Sequence, residues 1–146
     1  MQLFGPVLAL LARILMAFAF AFFVPLAWAW FADDVALRAV WAASFGLAFG
    51  SGWVLLLLTR RYSRELLPRD GFLLVNLVWV VLTVYAMVPL LFAVPDITVS
   101  KAFFEAMSAL TATGATALSG LDSLPVSVNV WRCFLQLVGG LGIVLL

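Results

Sequence analysis

Histidine is absent from the 146 residues, and charged side chains make up only 10% of them. The commonest general base and metal ligand is therefore missing, and no serine, threonine or cysteine has an imidazole to activate it. That argues against an enzyme. A soluble domain carries about 25% charged residues, so this chain has too little charge to build a water-facing surface. The single cysteine, Cys133, has no partner for an intrachain disulfide. It sits in an apolar run and is expected to pack as a small hydrophobe. The formal net charge of +1 gives no acidic or basic face that would point to nucleic acid. What the chain does have is apolar residues, 66% of the total, with a mean hydropathy of +1.22. Its solvent must be membrane lipid.

Four hydrophobic stretches are legible. The first covers residues 3–31, interrupted by Arg13 and Pro25, and Asp33 and Asp34 then form a short polar turn. No Lys or Arg precedes Arg13, and the run is far longer than a signal-peptide core, so a retained helix is expected. The second covers 39–58 without a charge. The third covers 71–94, with Pro89 and Pro95 punctuating its end, and the fourth runs from Val126 to Leu146. A helix rises about 1.5 Å per residue, so each is long enough for about 30 Å of hydrocarbon. Backbone groups in lipid must be satisfied internally, which makes these stretches helices and the protein an all-α integral membrane protein.

The loop 59–70 holds Arg60, Arg61, Arg64 and Arg69 against Glu65 and Asp70. As the most basic loop it is expected in the cytoplasm, with the N-terminus beside it and the turn at Asp33 outside. Residues 95–100 are then also outside.

Between the third and fourth stretches lies a different pattern. Residues 101–110 carry apolar positions at helical spacing, with Ser100 placed to cap the start. This helix is too short to span. The run Thr111-Ala112-Thr113-Gly114-Ala115-Thr116 follows, then polar residues 119–124 and Pro125. Two readings fit the spacing: an ordinary extracellular connection, or a re-entrant hairpin. Extended backbone at membrane depth persists only where it is buried in protein or lines a water-filled cavity, and there its carbonyls can replace the hydration shell of an ion. Gly114 permits backbone angles that a Cβ forbids. Thr111, Thr113 and Thr116 offer hydroxyls to an ion or to the loop itself. The C-terminal end of the short helix would favour a cation.

Several motifs carry a family resemblance. They are Arg69-Asp70-Gly71-Phe72-Leu73, Phe103-Phe104-Glu105, the run from Ser108 to Thr116, Ser119 to Pro125, Trp131-Arg132, and Gln136-Leu137-Val138-Gly139-Gly140-Leu141-Gly142-Ile143. Together they resemble the first pore repeat of the Trk/Ktr potassium transporter family, in its TrkH branch. The resemblance implies two N-terminal transmembrane helices (1–68) followed by one helix–pore helix–filter loop–helix repeat (69–146). It implies a potassium filter at Thr111, Ala112, Thr113 and Gly114, with backbone carbonyls on a dehydrated ion. Many relatives have threonine where this chain has Ala112, a mild departure for carbonyl ligation. No cofactor is implied; potassium is the transported ligand, and membrane lipid surrounds the chain. Family members enclose one pore with four repeats and associate with a cytoplasmic nucleotide-binding regulatory subunit. This chain holds one repeat, so it is expected to be part of a longer polypeptide. A homo-oligomer of four copies, or a non-conducting remnant that associates with a full-length transporter, are the alternatives. The bacterial inner membrane is the implied location.

Other polar and small residues have readings of their own. Glu105 would add negative potential near the filter, or sit near the outer interface and bond to local backbone or pair with Lys101 one turn away. Arg132 would pair with Asp122 to hold the loop after the filter, or snorkel to the interface. Snorkelling also accounts for Arg13. Asn76 is expected to bond between helices, and Gly139, Gly140 and Gly142 to let helices approach closely. Trp28, Trp30 and Trp131 fall where an outer aromatic belt would lie.

Overall fold

A computed structural model describes residues 5–32, 34–60 and 67–145, with side chains described through residue 142. Asp33 of the expected polar turn, and Arg61, Arg64 and Glu65 of the basic loop, lie outside the described residues. Helix α1 (Gly5–Ala19) passes through a 3₁₀ turn (Phe20–Phe22) into α2 (Phe23–Phe31), making one apolar rod of 27 residues. Pro25 explains the change of winding. Proline has no N–H to offer the carbonyl four residues earlier and its ring crowds that carbonyl. That carbonyl belongs to Ala21, in the middle of the 3₁₀ turn.

Helix α3 (Val35–Thr59) returns across the membrane, and α4 (Pro68–Ala93) crosses again. Each start has a sequence reason. The Asp34 carboxylate accepts the Leu37 N–H at 3.0 Å, an N-cap. At α4, Pro68 occupies the first turn, where a missing N–H costs nothing. Asp70 reaches back to accept the Leu67 N–H at 3.0 Å, while its own N–H donates to the Leu67 carbonyl at 2.8 Å. The Arg69-Asp70-Gly71 motif is thus a helix start, with a carboxylate at the positive end of the helix dipole. Helix α4 ends within a residue of the expected bound, 94. Pro89 lies inside the helix, which runs four residues further to Ala93.

Helix α5 (Val99–Leu110) is the short one, 12 residues long. Its cap is Thr98, whose hydroxyl accepts the Lys101 N–H at 3.3 Å; Ser100, the expected cap, lies within the first turn. A 3₁₀ turn (Leu121–Ser123) precedes α6 (Val126–Leu145). No strand occurs among the described residues. Helix α1 lies between α3 and α4, while α5 sits between α4 and α6. The protein is an all-α integral membrane protein in which two N-terminal helices pack against a helix–short helix–loop–helix unit.

An aromatic stack joins these two parts. The rings of Phe22 and Trp131 stack with centroids 4.6 Å apart, and Phe18 and Trp41 flank Trp131 at 6.0 and 5.7 Å. The indole N–H of Trp131 donates to the Ala86 carbonyl at 3.1 Å, and that of Trp41 to the Ser127 hydroxyl at 3.2 Å. Trp131 is therefore fully buried, not part of an interfacial belt, whereas Trp28 and Trp30 are exposed. On α6 the inward positions are 131, 135 and 139. Two residues of helix turn through about 200°, so Cys133 points away from them and is exposed, contrary to the sequence expectation. Asn76 is exposed and bonds to its own helix, donating to the Phe72 carbonyl at 2.7 Å, so the expected interhelical bond is not made.

Replacing Trp131 tests this junction. Trp131→Ala should cost about 3–5 kcal/mol, because a buried indole leaves a void in lipid as it does in water. Trp30→Ala, at an exposed site, should stay within about 0.5 kcal/mol of the parent. Reversible unfolding in mixed micelles measures both, and equal small losses would show that the stack does not hold the two parts together.

Candidate functional site: the loop after the short helix

The end of α5 decides the shape of the loop that follows. Three successive amide groups bond back onto the helix end. The Ala112 N–H donates to the Ala109 carbonyl at 3.0 Å; the Thr113 and Gly114 N–H groups both donate to the Ser108 carbonyl, at 2.9 and 3.4 Å. None of the peptide bonds is cis. In a trans peptide the carbonyl of one residue is antiparallel to the N–H of the next. The carbonyls of Thr111, Ala112 and Thr113 therefore point away from α5, from a stretch exposed from Ala112 onward.

Two left-handed residues make this possible. Gly114 has φ +76° and Ala112 has φ +54°. Glycine adopts such angles freely; alanine does so at a cost of about 1–2 kcal/mol. After Gly114 the direction changes, because the Ala115 carbonyl turns back and accepts the Ser108 hydroxyl at 2.7 Å.

The hydroxyls brace the loop. Thr111 donates to the Met107 carbonyl at 2.8 Å and meets the Thr113 hydroxyl at 2.8 Å. Thr116 donates to Glu105 at 2.6 Å. A cleft of about 170 Å³ lined by Phe104, Met107, Ser108, Thr111, Thr113 and Ala115 runs beside the loop.

Glu105 is 1% exposed. Its Oε1 accepts the Thr116 hydroxyl and the Ala117 N–H, and the Leu118 N–H at 3.3 Å. Its Oε2 accepts Arg132 Nε at 3.0 Å, forming a mostly buried ion pair between α5 and α6. The Lys101 alternative is not realised: Lys101 is exposed, and Arg132 takes the carboxylate. Asp122 is exposed in the 3₁₀ turn and has no ion pair with Arg132 among the described residues. Glu105 takes Arg132 because it is buried where α5 packs against α6, whereas Asp122 is exposed.

The glycines of α6 divide. A Cβ on Gly139 would stand 1.7 Å from the Leu110 carbonyl oxygen, so α6 touches the last residue of α5. Gly140 and Gly142 have open space where a Cβ would go. Gln136 lies on the same side; its amide nitrogen is 4.0 Å from a Cβ built on Gly114. Sequence reasoning gave Ser108 and Gln136 no role, although both stand in the motifs quoted above. The signal for Ser108 was a hydroxyl two residues before the helix end, where it reaches the following loop.

The arrangement is a membrane helix bundle in which a non-spanning helix and a loop of outward-turned carbonyls stand between two long apolar helices. A sequence profile of the TrkH family, described as cation transport protein, matches residues 37–146. The Trk system potassium uptake protein TrkH of Halomonas elongata is 35% identical over 141 residues, 96% of this chain and 29% of that one. The protein of the same name from Vibrio parahaemolyticus is 52% identical over 88 residues, covering 60% of this chain and 18% of its own. The crystal structure of the potassium transporter TrkH from Vibrio parahaemolyticus superposes with a TM-score of 0.89 at 37% identity, over 97% of this chain and 30% of that one. The chain belongs to the TrkH family. It spans less than a third of the length of these relatives.

Breaking the buried pair separates its partners' contributions. Glu105→Ala and Arg132→Ala should each cost about 3–5 kcal/mol, since each leaves a charge or several donors unmet. The double change to leucine should cost less than the sum of the two. Chemical unfolding in micelles reads this, and additive losses would show that the pair is not coupled. Gly139→Ala should destabilise while Gly140→Ala should not, by the same measurement; equal effects would remove Gly139 from the α5–α6 contact.

Proposed function

We propose that this chain forms the first pore repeat, residues 69–146, and the preceding two-helix hairpin, residues 1–68, of a potassium uptake transporter. In this reading Thr111, Ala112, Thr113 and Gly114 are the filter, and their backbone carbonyls replace the water around a potassium ion. The observation that carries it is the set of three carbonyls turned away from α5 by the N–H bonds to Ala109 and Ser108. Two features add to it. Helix α5 presents its negative end to the loop. Outward carbonyls of a partly hydrophobic loop need a ligand in place of water. The hydroxyls of Thr111, Thr113 and Thr116 serve the loop rather than the ion.

The pore itself is shared. One repeat supplies one wall, and the remaining walls come from further repeats, as the length of the relatives suggests. The driving force is the membrane potential, about 2.3 kcal/mol per charge per 100 mV. In this reading the basic ends of α3 and α4, with Arg60 and Arg69, face the cytoplasm by the positive-inside tendency, with the N-terminus on the same side and the filter loop toward the outside of an inner membrane. A cytoplasmic nucleotide-binding subunit would then meet parts of the transporter outside this chain.

The test is ion discrimination in the intact transporter that carries these residues. Gly114→Ser puts a side chain where φ is +76°. It should lower the preference for rubidium over sodium, measured as uptake by cells lacking other potassium systems, by about tenfold, the effect of about 1.4 kcal/mol at the site. Unchanged discrimination with a normally expressed protein would sink the filter assignment.

A further inference from the structure

We propose that Arg13 and the groove beside it form a binding seat for one anionic phospholipid of the leaflet at the N-terminal end of α1. Arg13 stands eight residues past Gly5, about 12 Å along the helix, inside the hydrocarbon. It is exposed, and no ion pair or side-chain hydrogen bond holds it among the described residues. A guanidinium at that depth on a lipid-facing surface is costly unless an anion meets it. Helical side chains lean toward the helix N-terminus, so the guanidinium reaches toward the near headgroup layer, not the bilayer centre.

A groove lies on the C-terminal side of Arg13, along the same helix. Ala17 and Phe20 follow it by four and seven residues, on the same side of the helix. They open a groove of about 490 Å³, lined also by Ile14, Leu82, Phe134 and Val138. Every one of these residues is apolar, and those of the first rod follow Arg13 in the direction of the membrane interior. A positive group at the headgroup end and a hydrocarbon trough beyond it match a phosphodiester with its acyl chain. A free phosphate would leave the trough empty. Guanidinium and phosphate pair through two parallel N–H···O bonds.

Net negative charge on the lipid follows from the surroundings. The alternation of α1, α3 and α4 brings Arg60 and Arg69, both exposed, to the same membrane end. Basic residues at a membrane surface favour anionic lipid. The nearest described carboxylate at that end, Asp70, already caps α4 and lies 3.8 Å from Arg69. Among the described residues at that end, the ammonium of a zwitterionic lipid would find no carboxylate other than Asp70. In the orientation proposed above this is the cytoplasmic leaflet; the seat itself does not depend on ion conduction.

Native mass spectrometry of the full chain released from mixed micelles tests the seat, with phosphatidylglycerol and phosphatidylcholine as probes. The parent should retain phosphatidylglycerol about fivefold over phosphatidylcholine. Arg13→Gln should abolish that preference, and Arg13→Lys should keep part of it. Ala17→Trp, which fills the groove and leaves the charge, should lower retention of both lipids. Three outcomes overturn the proposal: no preference in the parent, a preference unchanged by Arg13→Gln, or a preference lost only in Arg60→Gln or Arg69→Gln. The second is what a carboxylate from elsewhere in the polypeptide, seated on Arg13, would produce.

Discussion

The carboxylate of Glu105 is the interaction on which the rest of the loop depends. It is a charge within a short helix at membrane depth, and it persists because both of its oxygens are met. Those bonds tie three pieces of chain to one point: α5, the segment 116–118, and α6 through Arg132. The loop 111–117 has almost no buried apolar surface of its own. Ordering its backbone costs about 1–2 kcal/mol per residue. Hydrogen bonds to a charged group contribute about 1.5–3 kcal/mol each. In this part of the molecule polar bonds do what a hydrophobic core does elsewhere, and Glu105 with Ser108 supplies most of them.

Packing then sets where that loop sits. Lipid is as apolar as leucine, so helices gain little from hiding apolar surface and associate through close contact. Gly139 lets α6 touch Leu110, the residue before the loop begins. The stack of Phe22 on Trp131 holds α6 to the first hairpin. The two contacts lie two helical turns apart on one face of α6, so this helix transmits the position of the N-terminal hairpin to the loop. The left-handed turn at Ala112 is affordable because its neighbours' N–H groups are already fixed on α5.

Much of this was legible from residue pattern. Length and apolarity gave the spanning helices, since hydrocarbon thickness and the demands of the backbone leave few options. The short helix and its loop stood out because 12 residues cannot cross a membrane. The misreadings share a physical origin. Trp131 and Trp28 look alike in sequence, and only tertiary packing decides that one is fully buried and the other half exposed. Arg132 was expected to pair with Asp122 or to snorkel, and the packing of α6 on α5 brings it to the buried Glu105 instead. Ser108 and Gln136 were overlooked because a polar residue in a short helix has many bland explanations until its partner, a carbonyl or a loop, is placed.

The central claim is that the carbonyls of Thr111, Ala112 and Thr113 face an ion while that of Ala115 faces Ser108. Solid-state NMR of the intact transporter, with carbon-13 carbonyls in these four residues, compares potassium with sodium directly. The account predicts ion-dependent carbonyl shifts at residues 111–113 and none at Ala115. Shifts that are the same in both ions at residues 111–113, or as large at Ala115 as at the other three, would contradict it.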